Sequence, residues 1–443
     1  MQTQLSPEFS KTADGKEAAA IMRKCVHCGF CNATCPTYQL LGDELDGPRG
    51  RIYLIKQVLE GAEVTRSTQQ HLDRCLTCLN CQTTCPSGVE YGHLVDIGRR
   101  VVEARVARPA TEKVARWALK EGLTSALFAP ALWLGRALRP LLPKVLGNKV
   151  PVRAPVRALD RGRPELPQER LPPERLPPER LPPERLTPER LAPERLAPHT
   201  RKVLMLQGCV QPSMMPNIDR ATARVLDMAG IQTLHAAGTG CCGALRTHLS
   251  DSQGGLADMR RNIDAWMPLL AAGDVEAIIS SASACALSIK EYGHALSGDV
   301  AYAGKAARIS ALARDLSELL PQLVPALKDR LRGGTEKRAV FHAPCTLQHG
   351  QRLRGGVEGH LRELGFEVMA AGEESHLCCG SAGAYSILQP QLAMQLRDRK
   401  LGNLAKLEPQ CILSANIGCI QHLQSGTSTP VMHWVEFLEE ALG

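Results

Sequence analysis

Aromatic side chains are scarce: tryptophan, tyrosine and phenylalanine together supply 16 of 443 residues. A platform that stacks nucleic-acid bases has little to work with at that level. No run reaches the roughly 18 uncharged apolar residues of a membrane span. The closest, 126–143, is broken by Arg136 and Arg139. The opening MQTQLSPEFSKTADGK has no apolar stretch that could act as a secretory signal. The 17 cysteines are odd in number, so a complete disulfide framework is excluded. Reduced thiols in the cytoplasm are the expectation, and there a high cysteine content points to metal or redox chemistry. Hydrophobic residues at 44% and charged residues at 22% are ordinary for a globular chain, and the length suggests two or three domains.

The cysteines fall into three groups: eight between Cys25 and Cys85, four between Cys209 and Cys285, and five between Cys345 and Cys419. The net charge of +8 is also local. Residues 99–163 hold 15 Lys and Arg against four Asp and Glu, a net +11, which leaves about −3 for the rest. A five-residue repeat follows from Leu166 to Arg195, reading LPQER, LPPER three times, LTPER and LAPER. Proline at that density blocks helix ladders and sheet pairing, so a semi-rigid, polyproline-like spacer is expected.

Beyond the spacer the chain repeats itself. KVLMLQGC ending at Cys209 resembles RAVFHAPC ending at Cys345, and the shared cysteines lie 136, 137 and 134 residues apart. Each copy alternates short apolar runs with helix-length segments. The runs 203–206, 231–234 and 277–279 in the first copy, and 339–341, 366–369 and 412–413 in the second, predict buried parallel strands flanked by helices. Each cysteine or cysteine pair follows a predicted strand. Loops at the carboxyl ends of such strands converge on one crevice, which should gather four cysteines per copy.

The expected organisation is a helical ferredoxin-type module at 1–98, a basic connector at 99–165, the proline-rich linker at 166–200, and duplicated α/β domains at 201–330 and 331–443. Ile52, Ile55 and Leu59 stand at helical spacing within the first module.

Cys25-x2-Cys28-x2-Cys31-x3-Cys35-Pro36 recurs as Cys75-x2-Cys78-x2-Cys81-x3-Cys85-Pro86. Three cysteines at i+3 steps wrap a loop around one face of a cubane, and the fourth, followed by proline, ligates the other cluster. One [4Fe-4S] cluster is therefore assigned to Cys25, Cys28, Cys31 and Cys85, and the other to Cys75, Cys78, Cys81 and Cys35. Two four-cysteine zinc sites are the alternative, but those pair Cys-x2-Cys units at a distance. His27 is expected to tune a cluster or face solvent.

In the later groups, Cys209, Cys241, Cys242 and Cys285 correspond to Cys345, Cys378, Cys379 and Cys419, each set built on a Cys-Cys-Gly triplet. Both sets are candidates for a further cluster or metal. Adjacent cysteines can reach one metal centre, and glycine permits a sharp turn beside them. Residues 238–243 match GxGxxG formally, but 375–380 keep only the last glycine, so no dinucleotide site is expected. Cys411 aligns with Ala277 and is expected as a small buried strand residue.

A two-cluster module joined to two CCG domains resembles the iron-sulfur subunits of flavin-linked dehydrogenases and the catalytic subunits of heterodisulfide reductases. With GPRGRIYLIKQVLEG from Gly47 and the contexts HAPC and NIGC of Cys345 and Cys419, the chain most resembles the glycolate oxidase iron-sulfur subunit family. The resemblance implies a subunit that is not catalytic alone. It implies electrons taken from a partner subunit that carries FAD and oxidises glycolate to glyoxylate, and their delivery toward quinone. The Cys-x2-Cys that closes each heterodisulfide-reductase repeat is absent, with Ala282 and Asn416 at its first position. Other donors, glycerol 3-phosphate or lactate, fit the same architecture, and a zinc-stabilised scaffold or nucleic-acid-binding protein is the alternative of another class. The basic segment, with Phe128 and Trp133, suits packing or subunit docking, or peripheral contact with the inner face of the cytoplasmic membrane. No nucleic acid is expected.

Overall fold

The computed structural model describes residues 1–125, 127–138 and 199–442. The LPPER repeats, Pro140 and Pro143 lie outside the described residues. The chain forms two compact units, one of residues 1–125 with 197–443 and one of residues 126–196.

The N-terminal part of the first unit is helical. Helix Ala13–Lys24 starts at Thr12, whose side chain accepts from the Gly15 N–H, and ends where Cys25 turns extended. Helix Pro48–Leu59 begins on proline, whose fixed φ suits the first helical position, and buries Ile52, Ile55 and Leu59 as their spacing predicts. Helix Tyr91–Arg105 buries Leu94, Val95 and Ile97 in the same apolar cluster. At Gly98 a Cβ would stand 2.6 Å from Ile55 Cγ1, so glycine lets these two helices close. That helix also carries the chain past residue 98 into the basic segment. There Arg108, nearly fully buried, pairs with Asp73 and Glu103, and Arg116 pairs with Asp73. As far as Arg116 the basic segment thus packs on the helical module, whereas Lys120 and Glu121 pair with Asp251 and Arg246 of the first α/β copy.

Residues 199–442 contain two four-stranded sheets. The first holds β1 (Arg201–Met205), β2 (Ile231–Leu234), β3 (Val275–Ser280) and β4 (Ala313–Asp315) in the order β2-β1-β3-β4. The second holds β5 (Ala339–Phe341), β6 (Val368–Ala370), β7 (Cys411–Ser414) and β8 (Val431–His433) in the order β6-β5-β7-β8. Every pairing is parallel, with Val203 opposite Thr233 and Ala277 in one sheet, and Val340 opposite Met369 and Ile412 in the other. The duplicated α/β architecture is as expected, with one addition. Three strands per copy are legible from apolar runs, whereas β4 and β8 are not. Each is a three-residue edge strand, and Ala-Arg-Asp and Val-Met-His are too short and too polar to register as runs. Cys411 lies buried inside β7, opposite Ala339.

The two copies share one apolar core, in which helix Pro216–Met228 packs against helix Trp434–Leu442. Their crevice-side loops face each other: Ser283 N–H donates to Ala415 O at 3.0 Å, and Ser283 Oγ lies 2.7 Å from Thr346 Oγ1. His433, fully buried, spans the same junction. Its Nε2 lies 2.8 Å from Ser281 O, while its Nδ1 accepts from Val435 N–H. Only the neutral ring can do both. Burial accordingly holds its pKa down to about 4. Because this lies below the unfolded value of about 6.5, the stabilisation is complete above that pH and is lost as pH falls toward 4. Thermal stability is expected to decline over that window. His433→Gln keeps a donor and an acceptor without titrating, so its decline should be shallower when melting is followed against pH. Identical pH profiles would contradict this.

In the second unit, helix Phe128–Leu138 starts with Pro130 in its first turn, where the missing N–H costs nothing. Leu132 is buried, while Trp133, Leu134 and Leu138 are exposed.

Candidate functional site

Each ferredoxin-type loop begins where a helix ends, at Cys25 after helix Ala13–Lys24 and at Cys75 after helix Arg66–Asp73. Both loops enter the left-handed region at the same two places, His27 and Gly29 in one, Thr77 and Leu79 in the other. For a side chain as large as leucine this is a strained conformation, and strain of this kind collects at functional sites. The reversals coil each loop so that three thiols turn inward.

Cys25, Cys28, Cys31 and Cys85 line one pocket together with Cys81 of the second loop, Pro86 and Val89. Burial, then the neighbouring Cys25, push the Cys31 thiol up to about 11. The pocket opens outward: Cys28 is exposed, and Val26 and Phe30 beside it are 69% and 61% exposed. His27 lines the pocket too, with its Nε2 buried and without a hydrogen-bond partner. Burial and the nearby Arg49 lower its pKa.

Cys35, Cys75, Cys78 and Cys81 are all buried. Burial, followed by Cys78, Cys75 and Cys35, drives the Cys81 thiol far above its ordinary range. Cations and donors converge on this group. Arg51, 1% exposed, donates to Thr37 Oγ1 and His71 O and pairs with the equally buried Asp46. Thr37 Oγ1 lies 3.3 Å from Cys35 Sγ. Arg99 donates to Thr77 Oγ1 and Cys75 O, and Cys75 Sγ accepts from Thr77 N–H at 3.4 Å and from Tyr91 OH at 3.7 Å. Burial works against a Cys75 thiolate, but Arg51 and Arg99 prevail and hold its pKa below the ordinary value. Hydrogen bonds and charge at the sulfurs are the levers by which a protein sets a cluster's potential. Neither arginine was singled out from the sequence, because a lone charged residue carries no period or spacing.

The CCG cysteines also come together. Cys209 contacts Cys241, and Cys242 contacts Cys285. In the second copy Cys345 Sγ and Cys378 Sγ lie 3.9 Å apart, and Cys379 contacts Cys419. Gly243 and Gly380 adopt φ of 90° and 89°, and a Cβ there would strike Gly255 O at 2.7 Å and Ala393 O at 2.4 Å. The triplet needs glycine for both reasons. The contact with Cys378, then burial, push the Cys345 thiol far up, and contact with Cys241 and burial do the same at Cys209. Buried thiols that resist ionising together become good ligands once a cation shares the site, so both sets suit a metal or cluster. Ala282 and Asn416, at the missing cysteine position, cap the helices that carry Cys285 and Cys419, and Asn416 Nδ2 donates to Cys419 Sγ at 3.7 Å.

Residues 21–89 match the 4Fe-4S dicluster domain family, and residues 203–290 and 339–424 match the cysteine-rich domain family. The chain is 50% identical over 447 residues to the glycolate oxidase iron-sulfur subunit of Escherichia coli strain K12, covering all of this chain and 99% of that protein. It is 27% identical to the probable glycolate oxidase iron-sulfur subunit of Bacillus subtilis strain 168, over 99% of this chain and 97% of that one. Lactate utilization protein A of Bacillus licheniformis is 27% identical over 249 residues, 54% of this chain and 98% of that protein.

Proposed function

The chain belongs to the glycolate oxidase iron-sulfur subunit family, and from that premise we propose that it relays single electrons from a flavin-bearing partner, which oxidises glycolate to glyoxylate, toward quinone. Cys25, Cys28, Cys31 and Cys85 would hold one [4Fe-4S] cluster, and Cys75, Cys78, Cys81 and Cys35 the other. The CCG sets would hold further metal centres. What supports the crossed assignment is the pocket in which Cys85 joins the three cysteines of the first loop, while Cys81, which also borders it, has Cys78, Cys75 and Cys35 as its nearer thiol neighbours. When bound, such clusters accept and release one electron at a time, which splits the pair that an alcohol oxidation delivers to a flavin.

The chain's own residues insulate and expose these sites unequally. Cys28, Val26 and Phe30 leave the first pocket open, which suits docking of the flavoprotein, while Arg51 and Arg99 stabilise negative charge at the buried second group. On this reading the substrate site belongs to the partner, and the subunit acts only with it. No helix among the described residues is long and apolar enough to cross a membrane. Contact with the inner face of the cytoplasmic membrane would run through the exposed Trp133, Leu134 and Leu138 and the basic segment.

The likeness to lactate utilization protein A favours lactate as the second reading. Anaerobic protein mixed with its co-purified flavoprotein should bleach when glycolate is added, while lactate and glycerol 3-phosphate should be slower. Bleaching by lactate but not glycolate would replace the substrate.

A further inference from the structure

The two CCG sets differ in what surrounds them. Around the first set, the described hydrogen-bond donors are neutral, and the cation that flanks Gly240, Arg261, is half exposed and paired with Asp258. Asn262 donates to Cys241 O, and Ser288 and Tyr292 donate to Cys242 O. The apolar cluster that includes Cys242 draws on no described residue of the ferredoxin-type module. That module meets the first copy through exposed or half-buried polar pairs, such as His294 with Glu17 and His93 with Glu291.

The second set is bound to the module through the ligand loop itself. Cys78 and Leu76 share a buried apolar cluster with Cys378, Tyr385, Leu392 and Leu396, and Cys345 packs against it. Three hydrogen bonds lock the junction. Asn80 Nδ2 donates to His376 O, Tyr385 OH donates to Arg74 O, and Thr83 Oγ1 lies 2.9 Å from His349 Nδ1. His349 rides on the π-helical turn Thr346–Gly350 directly after Cys345, a form of helix that collects at functional sites. A buried cation completes the difference. Lys400, 2% exposed, donates to Glu374 O and Ser375 O beside the Cys378–Cys379 pair. Its ammonium favours added negative charge on whatever those thiols hold.

We propose that the second CCG set, and not the first, is the redox neighbour of the Cys75–Cys81 loop, with Lys400 as the residue that raises its potential. This rests on the reading that the CCG sets hold metal centres. Cys35, Cys75, Cys78 and Cys81 would hold the group that gives up one electron, and Cys345, Cys378, Cys379 and Cys419 the centre that would take it up, with the partner's reduced flavin as the source. Electron exchange weakens steeply with distance, so a shared wall of Cys78, Cys345 and Cys378 selects this set.

The test uses the full chain, isolated anaerobically and reduced with dithionite, with iron analysis and EPR. Cys378→Ser should lose iron and abolish the magnetic broadening that the second set imposes on the ferredoxin-type signals, whereas Cys241→Ser should lose iron and keep that broadening. Lys400→Met, poised over a range of potentials, should retain its iron and shift the second centre to lower potential, with Lys400→Arg restoring it. If neither cysteine variant loses iron, the loaded-CCG reading fails and takes this proposal with it. If iron is lost but the broadening disappears with Cys241→Ser, or Lys400→Met retains iron without a shift, this proposal alone is overturned.

Discussion

Cys25→Ser and Cys85→Ser are expected to abolish the same EPR signal, although the two residues lie in different cysteine runs. Cys35→Ser should instead match Cys75→Ser. Each substitution should cost about four irons, since one weak ligand destabilises a whole cubane. The pairing follows from the coil of each loop. Left-handed residues at His27 and Gly29 turn Cys25, Cys28 and Cys31 into one pocket, which Cys85 and Cys81 from the other loop also line, Cys81 being grouped with Cys75, Cys78 and Cys35. Cys411→Ala is the control: a buried strand residue, it should leave the iron content unchanged. If Cys25→Ser and Cys35→Ser removed the same signal, each run would serve its own cluster and the crossed arrangement would be wrong.

Arg51→Met is expected to have the largest effect on stability of any substitution outside the cysteines. Arg51 and Asp46 are each 1% exposed, and removing one partner leaves a buried carboxylate with Arg74 as its remaining guanidinium. Breaking a buried pair of this kind costs about 3–5 kcal/mol. The same change withdraws positive charge from Cys75 and Cys35, so the surviving cluster should titrate at lower potential. Arg51→Lys keeps the charge but cannot donate to Thr37, His71 and Asp46 together, and should fall between the two. Melting temperature and a redox-poised EPR titration read the two consequences separately. A variant with wild-type melting and potential would show that Arg51 is a spectator.

Much of this arrangement is legible in the chain because cysteine spacing is local chemistry. The i+3 steps define the loops, and the offsets of 134 to 137 residues define the duplication. The residues that tune the sites leave no such trace. Arg51, Arg99 and Lys400 are single cations placed by tertiary packing, and Arg51 and Lys400 are buried although residues of their kind are ordinarily exposed. The junction of Cys78 with Cys378, or of Asn80 with His376 across 296 residues, has no local signature at all. The edge strands β4 and β8 escape for a related reason, since three residues hydrogen-bonded on one side need no apolar run.

The central claim is that this chain is an electron carrier built on two cubanes, and iron and acid-labile sulfide analysis with EPR on anaerobically isolated full-length protein tests it most directly. The account predicts a brown protein with at least about eight irons and eight sulfides per chain and two interacting reduced-cluster signals. A colourless protein that carries zinc in place of iron and sulfide would contradict it.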